Sequence, residues 1–286
     1  MNRAAFVGGA LALGACPTPT RATTLDISTA IARVPGVTGV YARTMTDAPP
    51  LVIERPGDTF PSASVIKLGI MLAAYRAFDA GTASQHDRVA LRASDMIGGS
   101  DILATARARQ VFTLDRLIKA MIQVSDNTAA NTLITAFGFG AINRVMASAG
   151  MTSTRLARHF ADVVPAWRRS LNQTTPHDMG TLLYGIERGA REGLDTVAKS
   201  TSCRAMIDVL LGQEDATKIR RGLPHGTPCA NKTGEIDGVR NDCAIVDPYG
   251  DTPYVLVVLT RDLRDTNAGN RGIAAIASIV DRTLRT

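Results

Sequence analysis

Strand-forming residues lie near both ends of this chain, and a long helical stretch separates them. Five runs have this character: 37–45, 51–54, 230–235, 242–246 and 254–260. Between the second and third runs, apolar side chains recur three and four positions apart, which is typical of helices. Because strands need partners, the two ends must pair with each other. The sequence therefore predicts an α/β (α+β) fold, an antiparallel sheet flanked by helices with an inserted all-helical domain.

This arrangement predicts three parts. Residues 1–22 form a leader, residues 23–60 plus 200–286 form the α/β sheet domain, and residues 61–199 form the all-helical domain. With 286 residues, of which 45% are hydrophobic, the chain can bury a full core. This composition excludes disorder as its main state.

The leader has the features of an export signal. Arg3 precedes a small and apolar run at 4–15, which is as long as a signal-peptide core and too short to span a bilayer. Two processing sites compete: the Thr-Arg-Ala triplet at 20–22, and a lipobox-like run that ends at Cys16. We expect an exported protein, periplasmic or secreted, with a lipid anchor at Cys16 as the alternative and no transmembrane segment.

Composition also bears on partners. The formal net charge is +6, but the basic residues are scattered and no nucleic-acid motif accompanies them, so we expect no nucleic-acid partner. The four histidines lack metal-ligand spacing, and no phosphate loop occurs. The sequence therefore predicts no metal and no cofactor. We expect a monomer that acts on a small molecule.

Three cysteines follow the leader: Cys203, Cys229 and Cys243. An oxidising compartment permits one disulfide with one thiol left over, and the alternative is three buried small hydrophobic side chains. Cys229 and Cys243 flank an expected hairpin turn at 237–238. They would face each other if the hairpin is centred there.

The first chemical motif is a Ser-x-x-Lys sequence that joins Ser64 to Lys67 at the start of a helix. Lys67 is the only charged residue in an apolar run that extends to Tyr75, so its side chain should be buried. A buried lysine must be paired or lose its proton. One helical turn from a serine, it can act as the general base of that serine.

Two rarer triplets follow. Ser125-Asp126-Asn127 lies between two helical patterns, where a helix cap is the simplest interpretation, and Lys232-Thr233-Gly234 lies in a strand, where an exposed edge lysine is simplest. The three motifs together, in this order, would arise by chance in roughly one chain in a thousand. A shared chemical site explains them better.

With these motifs the sequence resembles the class A β-lactamases and the penicillin-binding proteins, and it is most similar to the class A-related serine hydrolases. The intervals agree, since Ser125 lies 61 residues after Ser64 and Lys232 lies 107 residues after Ser125. The resemblance extends over most of the chain after the leader. It implies the β-lactamase/transpeptidase-like fold and a β-lactam or acyl-D-Ala-type substrate.

The resemblance also implies roles for individual residues. Ser64 would be the nucleophile, Lys67 its base, and Ser125 the group that passes a proton to the departing nitrogen. The backbone N–H groups of Ser64 and Glu235 would form the oxyanion hole. Lys232 would be a further catalytic residue that holds the Ser125 region and the substrate carboxylate electrostatically. The remaining substrate contacts would come from Asn127, Thr233, Gly234 and either Arg240 or Lys218.

One departure from the family concerns the loop after Arg158. The family carries a glutamate there that activates the deacylating water, whereas this chain has Phe160. Asp162 is the nearest carboxylate, and Asn172 is a candidate amide for positioning the water. Asp162 could equally be a structural partner of the loop arginines.

Three functions remain open on these grounds. The first, which we favour, is a β-lactamase that uses Asp162 as its second base. The second is a DD-peptidase or esterase-type serine hydrolase or a slow-turnover penicillin-binding protein, and the third is a catalytically idle protein that binds β-lactams. The first two require Ser64 as a catalyst, whereas the third requires only the pocket.

Overall fold

A computed structural model describes residues 25–97, 103, 105–160 and 171–285 of the chain. Its main sheet has the strand order β2-β1-β9-β8-β7, and all neighbouring strands are antiparallel. These strands are β1 (Val37–Thr44), β2 (Val52–Glu54), β7 (Cys229–Ile236), β8 (Val239–Val246) and β9 (Tyr254–Arg261). The N-terminal β1 pairs along its whole length with the C-terminal β9. The predicted fold class is therefore confirmed.

Both faces of this sheet are buried, which explains the continuous apolar run of its central strand β9. One face carries Tyr254, Leu256 and Val258, and the opposite face carries Val255 and Val257. Three helices cover the first face: α1 (Ser28–Ala32), α8 (Ile219–Gly222) and α9 (Thr266–Arg285). The second face belongs to the larger core, which it shares with the helical region.

The helical region is built around a helix that is buried on nearly all sides. Its helices are α2 (Lys67–Asp79), α3 (Leu114–Gln123), α4 (Asn127–Phe137), α5 (Phe139–Ser148), α6 (Pro176–Glu192) and α7 (Ser200–Leu211). Every residue of α2 from Lys67 to Tyr75 is buried. Two threonines cap helices of this region, because the side chains of Thr113 and Thr175 accept backbone N–H groups at the starts of α3 and α6.

The segment 61–199, predicted to be all-helical, also contains three short strands, and a fourth straddles its first residue, so that prediction is corrected. Two ribbons are present: β3 (Phe60–Pro61) with β6 (Gln173–Thr174), and β4 (Arg88–Ala90) with β5 (Val111–Thr113). Each strand has only two or three residues, too few to show an alternating pattern in the sequence. The β3–β6 ribbon connects the sheet domain to the end of the loop at 158–172.

The predicted Cys229–Cys243 pairing is wrong. The β7–β8 hairpin turns between Ile236 and Val239, so Cys229 lies opposite Val246 and Cys243 lies opposite Lys232. The two thiols lie on different faces of the sheet, one in each core. All three cysteines of the described part of the chain are free and buried, as the alternative interpretation held.

The leader and Cys16 lie outside the described residues. Within the described ranges, no helix combines the length and apolar character needed to cross a membrane.

Candidate active site

Ser64 lies in a strained turn at the junction of the sheet and the helical region. The 3₁₀ turn Ala63–Ile66 leads directly into α2, and Ala63 has a φ of 45°, in the left-handed region that non-glycine residues rarely adopt. Residues in such conformations persist only where their surroundings hold them. The turn packs against β7 and β8 of the sheet.

Asn241 on β8 fastens this turn to the sheet. Its buried amide nitrogen donates to the carbonyl oxygens of Pro61 (2.9 Å) and Ser62 (3.1 Å), and its amide oxygen accepts from the backbone of Thr260 (2.9 Å). Sequence reasoning did not identify Asn241. The available signal was an amide in the middle of an expected hairpin, where a buried polar group must find partners.

Gly234 explains how β7 approaches the serine so closely. A Cβ atom at this position would lie 3.0 Å from both the Ser64 backbone nitrogen and the Ser62 carbonyl oxygen. Any other residue would therefore push the strand away from the turn. This close approach explains, on steric grounds, why the third residue of the Lys-Thr-Gly triplet is a glycine.

Lys67 is fully buried, as its apolar surroundings in the sequence predict. Its Nζ donates to the Ser125 carbonyl oxygen (2.6 Å), the Ser125 Oγ (3.1 Å) and the Asn127 Oδ1 (2.8 Å). The first motif therefore contacts the second, although 58 residues separate Lys67 from Ser125.

The Ser-Asp-Asn turn is held in place by its middle residue. Asp126 caps α4 by accepting from the backbone of Ala129 (2.8 Å), and its other carboxylate oxygen accepts from the backbone of Leu103 (2.9 Å). Ser125 itself has a φ of 60°. The helix-cap interpretation of this triplet is thus correct for Asp126, whereas its two neighbours contact Lys67.

Lys232 is fully buried on the edge strand β7, so the interpretation as an exposed edge lysine is wrong. Its Nζ donates to the backbone carbonyl of Thr233 (2.9 Å). Burial lowers the pKa of Lys232 to about 7, although the nearby Asp242 carboxylate opposes that change. This lysine can therefore lose its charge near neutral pH.

Lys218 and Arg240 both point at a carboxylate of the protein itself. The Lys218 Nζ lies 2.6 Å from the Glu235 Oε1 and 2.6 Å from the Asp215 Oδ2, and the Arg240 Nε lies 3.6 Å from the same Glu235 oxygen. Burial alone would raise the pKa of Asp215, but hydrogen bonds from Lys218 and Thr217 outweigh it and hold that pKa well below its usual range. Lys218 and Arg240, the two expected donors to a substrate carboxylate, are thus already paired with the carboxylate of Glu235.

A cleft of about 610 Å³ brings most of the predicted residues together. The described residues that line it are Ser64, Gln123, Val124, Ser125, Asn127, Gln213, Glu214, Asp215, Thr233, Gly234 and Glu235. A second cavity of about 270 Å³ shares Ser64, Asn127 and Glu235 with it and extends toward the 158–172 loop. The predicted residues Lys67, Lys232 and Arg240 are not among the described lining of either cavity.

Phe160 stands on the loop side of this site. Its ring centroid lies 4.4 Å from the Lys67 Nζ, within the range of a cation–π contact. Asn131, one helical turn beyond Asn127, holds the Phe160 backbone on both sides, through 2.8 Å and 3.2 Å hydrogen bonds. Sequence reasoning missed Asn131, whose only signal was an amide on a buried helix face.

The side chain of Asn172 is hydrogen-bonded to the backbone of residues 157 and 158. Its Oδ1 accepts from the backbone N–H groups of Ala157 (2.7 Å) and Arg158 (3.0 Å), and its Nδ2 donates to the Arg158 carbonyl (3.1 Å). Asn172 lines the smaller cavity, but its amide is bonded to the loop backbone. The role of Asn172 in positioning a water stays a prediction. Asp162 falls within 161–170, outside the described residues.

No group of His, Cys, Asp and Glu side chains within the described ranges has the arrangement of a metal site.

Residues 23–284 match the model of a family described as the "Beta-lactamase enzyme family". The chain belongs to this family. A β-lactamase of Streptomyces lavendulae is 29% identical over 253 residues, covering 86% of this chain and 81% of that protein. The predicted resemblance to the class A β-lactamases and penicillin-binding proteins is confirmed, since class A enzymes are also among the structural neighbours.

Two solved structures are similar in fold to this β-lactamase-family chain. The β-lactamase of Sphaerobacter thermophilus superposes with a TM-score of 0.80 at 30% identity, covering 90% of this chain and 96% of that one. PBP-A superposes with a TM-score of 0.79 at 23% identity, covering 92% and 98%, a likeness of fold alone. Family and fold are those of a β-lactamase-type hydrolase.

Proposed function

We propose that this chain is a serine acyl hydrolase that opens β-lactam rings through an acyl-enzyme on Ser64. One observation carries the proposal: the buried Lys67 amino group contacts the Ser125 hydroxyl and the Asn127 amide oxygen in the cleft that Ser64 lines. The named β-lactamase relatives supply the substrate class.

In the acylation step, the Ser64 Oγ attacks the ring carbonyl carbon and Lys67 accepts the hydroxyl proton. Burial disfavours the ammonium that forms, but the three acceptors around Nζ stabilise it. The C–N bond of the ring then breaks, and Ser125 donates its hydroxyl proton to the departing nitrogen. Lys67 restores that proton, since its Nζ lies 3.1 Å from the Ser125 Oγ.

The oxyanion hole would be formed by the backbone N–H groups of Ser64 and Glu235. Support comes from Gly234. Because it lacks a Cβ atom, β7 can lie close to the Ser64 turn, and a Cβ here would lie only 3.0 Å from the Ser64 backbone nitrogen. Donors fixed by a sheet and a helix start need no rearrangement as charge develops on the substrate oxygen. The acylation half of the reaction is thus served by rigid elements.

Release of the acyl group needs a base for the attacking water, and we propose Asp162 for that role. It follows Phe160 by two residues in the same loop. A second candidate, a slow-turnover penicillin-binding protein or a DD-peptidase or esterase-type enzyme, is favoured by the Phe160 ring. This ring lies 4.4 Å from the Lys67 Nζ, on the loop side where the family carries its glutamate.

Steady-state nitrocefin hydrolysis, combined with an intact-mass time course, tests the proposal. Repeated turnover without a lasting adduct supports the β-lactamase, and a persistent adduct on Ser64 supports the second candidate. Ser64→Ala should abolish the adduct, with the exposed Ser148→Ala as its matched control. A Ser64→Ala variant that fluorescent penicillin still labels would refute the assigned nucleophile.

Asp162 is tested separately. If it activates the water, Asp162→Asn should leave acylation intact and make the adduct persist, whereas Asp58→Asn, a control on the surface, should not. Normal turnover by Asp162→Asn would exclude this aspartate as the base.

We further propose export to the periplasm or the medium as a monomer, with residues 1–22 as the leader and lipid attachment at Cys16 as the alternative. Cell fractionation of the full chain and of a Cys16→Ser variant tests the anchor. Membrane association that disappears in the variant supports lipidation, and equal solubility of both proteins contradicts it.

A further inference from the structure

The Glu235 carboxylate contacts two cations that lie beside the cleft, the buried Lys218 and the largely buried Arg240. Its Oε1 lies 2.6 Å from the Lys218 Nζ and 3.6 Å from the Arg240 Nε, and its side chain is 46% exposed, on the open side of the pair. Lys218 is fully buried behind it. The carboxylate therefore stands between these cations and the cleft.

Both cations have further partners that keep them in place. Lys218 also donates to the Asp215 Oδ2 (2.6 Å) and the Thr217 Oγ1 (3.2 Å), and Arg240 donates to the backbone carbonyls of Ile236 (3.0 Å) and Val239 (2.8 Å). Neither side chain is directed into open solvent. A substrate carboxylate could reach them only by displacing Glu235.

The cleft wall itself is acidic. Of the described residues that line the larger cavity, three are acidic, namely Glu214, Asp215 and Glu235, and none is lysine or arginine. An anionic group that enters the cleft thus approaches carboxylates before it meets a cation. Repulsion between these carboxylates and an anionic substrate lowers the affinity of the cleft for that substrate. The repulsion is stronger where solvent is partly excluded.

We propose that the Glu235 side chain occupies the carboxylate-binding position of the cleft, and selects acyl substrates whose leaving portion is uncharged or cationic rather than anionic. The inference rests on the proposed function, because it concerns the same acylation reaction. Glu235 acts here through its side chain, a role distinct from that of its backbone N–H group. It is a specificity-determining residue, and it takes no part in proton transfer.

Two probes that differ only in the relevant charge provide the test: benzylpenicillin and its methyl ester. Intact mass spectrometry gives the second-order rate constant for acylation of Ser64 by each probe. In the wild-type protein we expect the ester to react at least as fast as the free acid. In Glu235→Gln the ratio of the acylation rate constant for the acid to that for the ester should rise by about tenfold at low salt. This rise should become smaller as the salt concentration increases.

The variant should fold, because Asp215 still pairs with Lys218 after the substitution. Glu235→Ser serves as a second neutral variant should the glutamine form a new hydrogen bond to Lys218, and thermal melting reports folding of both. Glu214→Gln is the matched control, since it removes one negative charge from the same wall without touching the Lys218–Glu235 pair. Its ratio should change by less than about twofold.

The outcomes are distinct. A rise in the ratio for both Glu235 variants, but not for Glu214→Gln, supports the inference. An unchanged ratio, or an equal rise in all three variants, overturns it and leaves the acyl-enzyme intact. Absence of any adduct on Ser64 with either probe overturns the proposed function, and the inference falls with it.

Discussion

The two sides of Ser64 differ in how they are built. On the side of α2 and α4, three acceptors surround the Lys67 ammonium and belong to the short turn that Asp126 locks. On the loop side, an aromatic ring covers the same ammonium, and the amide of Asn172 is bonded to the loop neck. The same lysine thus meets polar groups on one side and an apolar face on the other.

This difference separates two steps that one site must perform. Acylation needs a base next to the serine hydroxyl, and under the proposed function this base is Lys67, which α2 and the Ser125–Asn127 turn hold in place. Deacylation needs a base next to a water, and the described part of the loop offers Phe160 there. We therefore expect acylation to depend on residues of the helices, and turnover to depend on the chemistry of residue 160 and its neighbours.

The largest effect is expected from Lys67→Ala. Without the base, and with Ser125 and Asn127 deprived of their shared donor, acylation of Ser64 should slow by about 1,000-fold. Stopped-flow labelling with a fluorescent penicillin measures this rate. Lys119→Ala, at a lysine that is 50% exposed, is the control and should react normally. If Ser64 is acylated at the same rate in both variants, acylation does not depend on Lys67.

The next largest effect is expected from Phe160→Glu, which changes the deacylation side of the site. A carboxylate at this position would face the Lys67 ammonium and activate a water, so decay of the acyl-enzyme should accelerate by about 100-fold. Phe160→Gln matches its size without its charge and controls for simple opening of the cavity. The time course of adduct loss by intact mass distinguishes them. Equal acceleration in both variants would mean that access, and not a base, limits release.

The pH dependence of acylation tests Lys232. Its pKa of about 7 lies below the ordinary value of 10.5, so the side chain is charged below pH 7 and becomes neutral above it. If the charge assists acylation, the rate should fall above pH 7 by up to about tenfold per pH unit. Lys232→Arg keeps its charge and should move this decline to higher pH. A flat profile in the wild-type protein between pH 7 and 9 would exclude an electrostatic role for Lys232.

The smallest effect is expected at the loop neck. Asn172→Ala removes three hydrogen bonds to the backbone and should lower the free energy of unfolding by about 2 kcal/mol, with little change in acylation. Urea denaturation measures the loss. Asn267→Ala, at an exposed asparagine near the start of α9, is the matched control. Equal stability of the two variants would show that the neck does not depend on this amide.

Much of the fold was predictable from residue patterns because the patterns are local. The apolar surroundings of Lys67 indicated its burial, since this pattern depends on neighbours within a few positions. The four short strands were not predictable in this way, because strands of two or three residues show no period. The hairpin turns at 237–238, where the sequence indicates it, and a turn there pairs Cys229 with Val246 and not with Cys243.

The sequence by itself determined the chemical groups of the site: a serine before a buried lysine, a hydroxyl and an amide on either side of a capping aspartate, and a glycine after a lysine and a threonine. Only the tertiary structure decided which groups meet. It directed Lys67 to Ser125 and Asn127, placed Phe160 over the same ammonium, and turned Lys218 and Arg240 toward Glu235. Most of these contacts join residues that are distant in the chain, and the Arg240–Glu235 contact crosses the β7–β8 hairpin. Packing of the sheet and helices therefore sets most of them, whereas local spacing sets only the residues that are available.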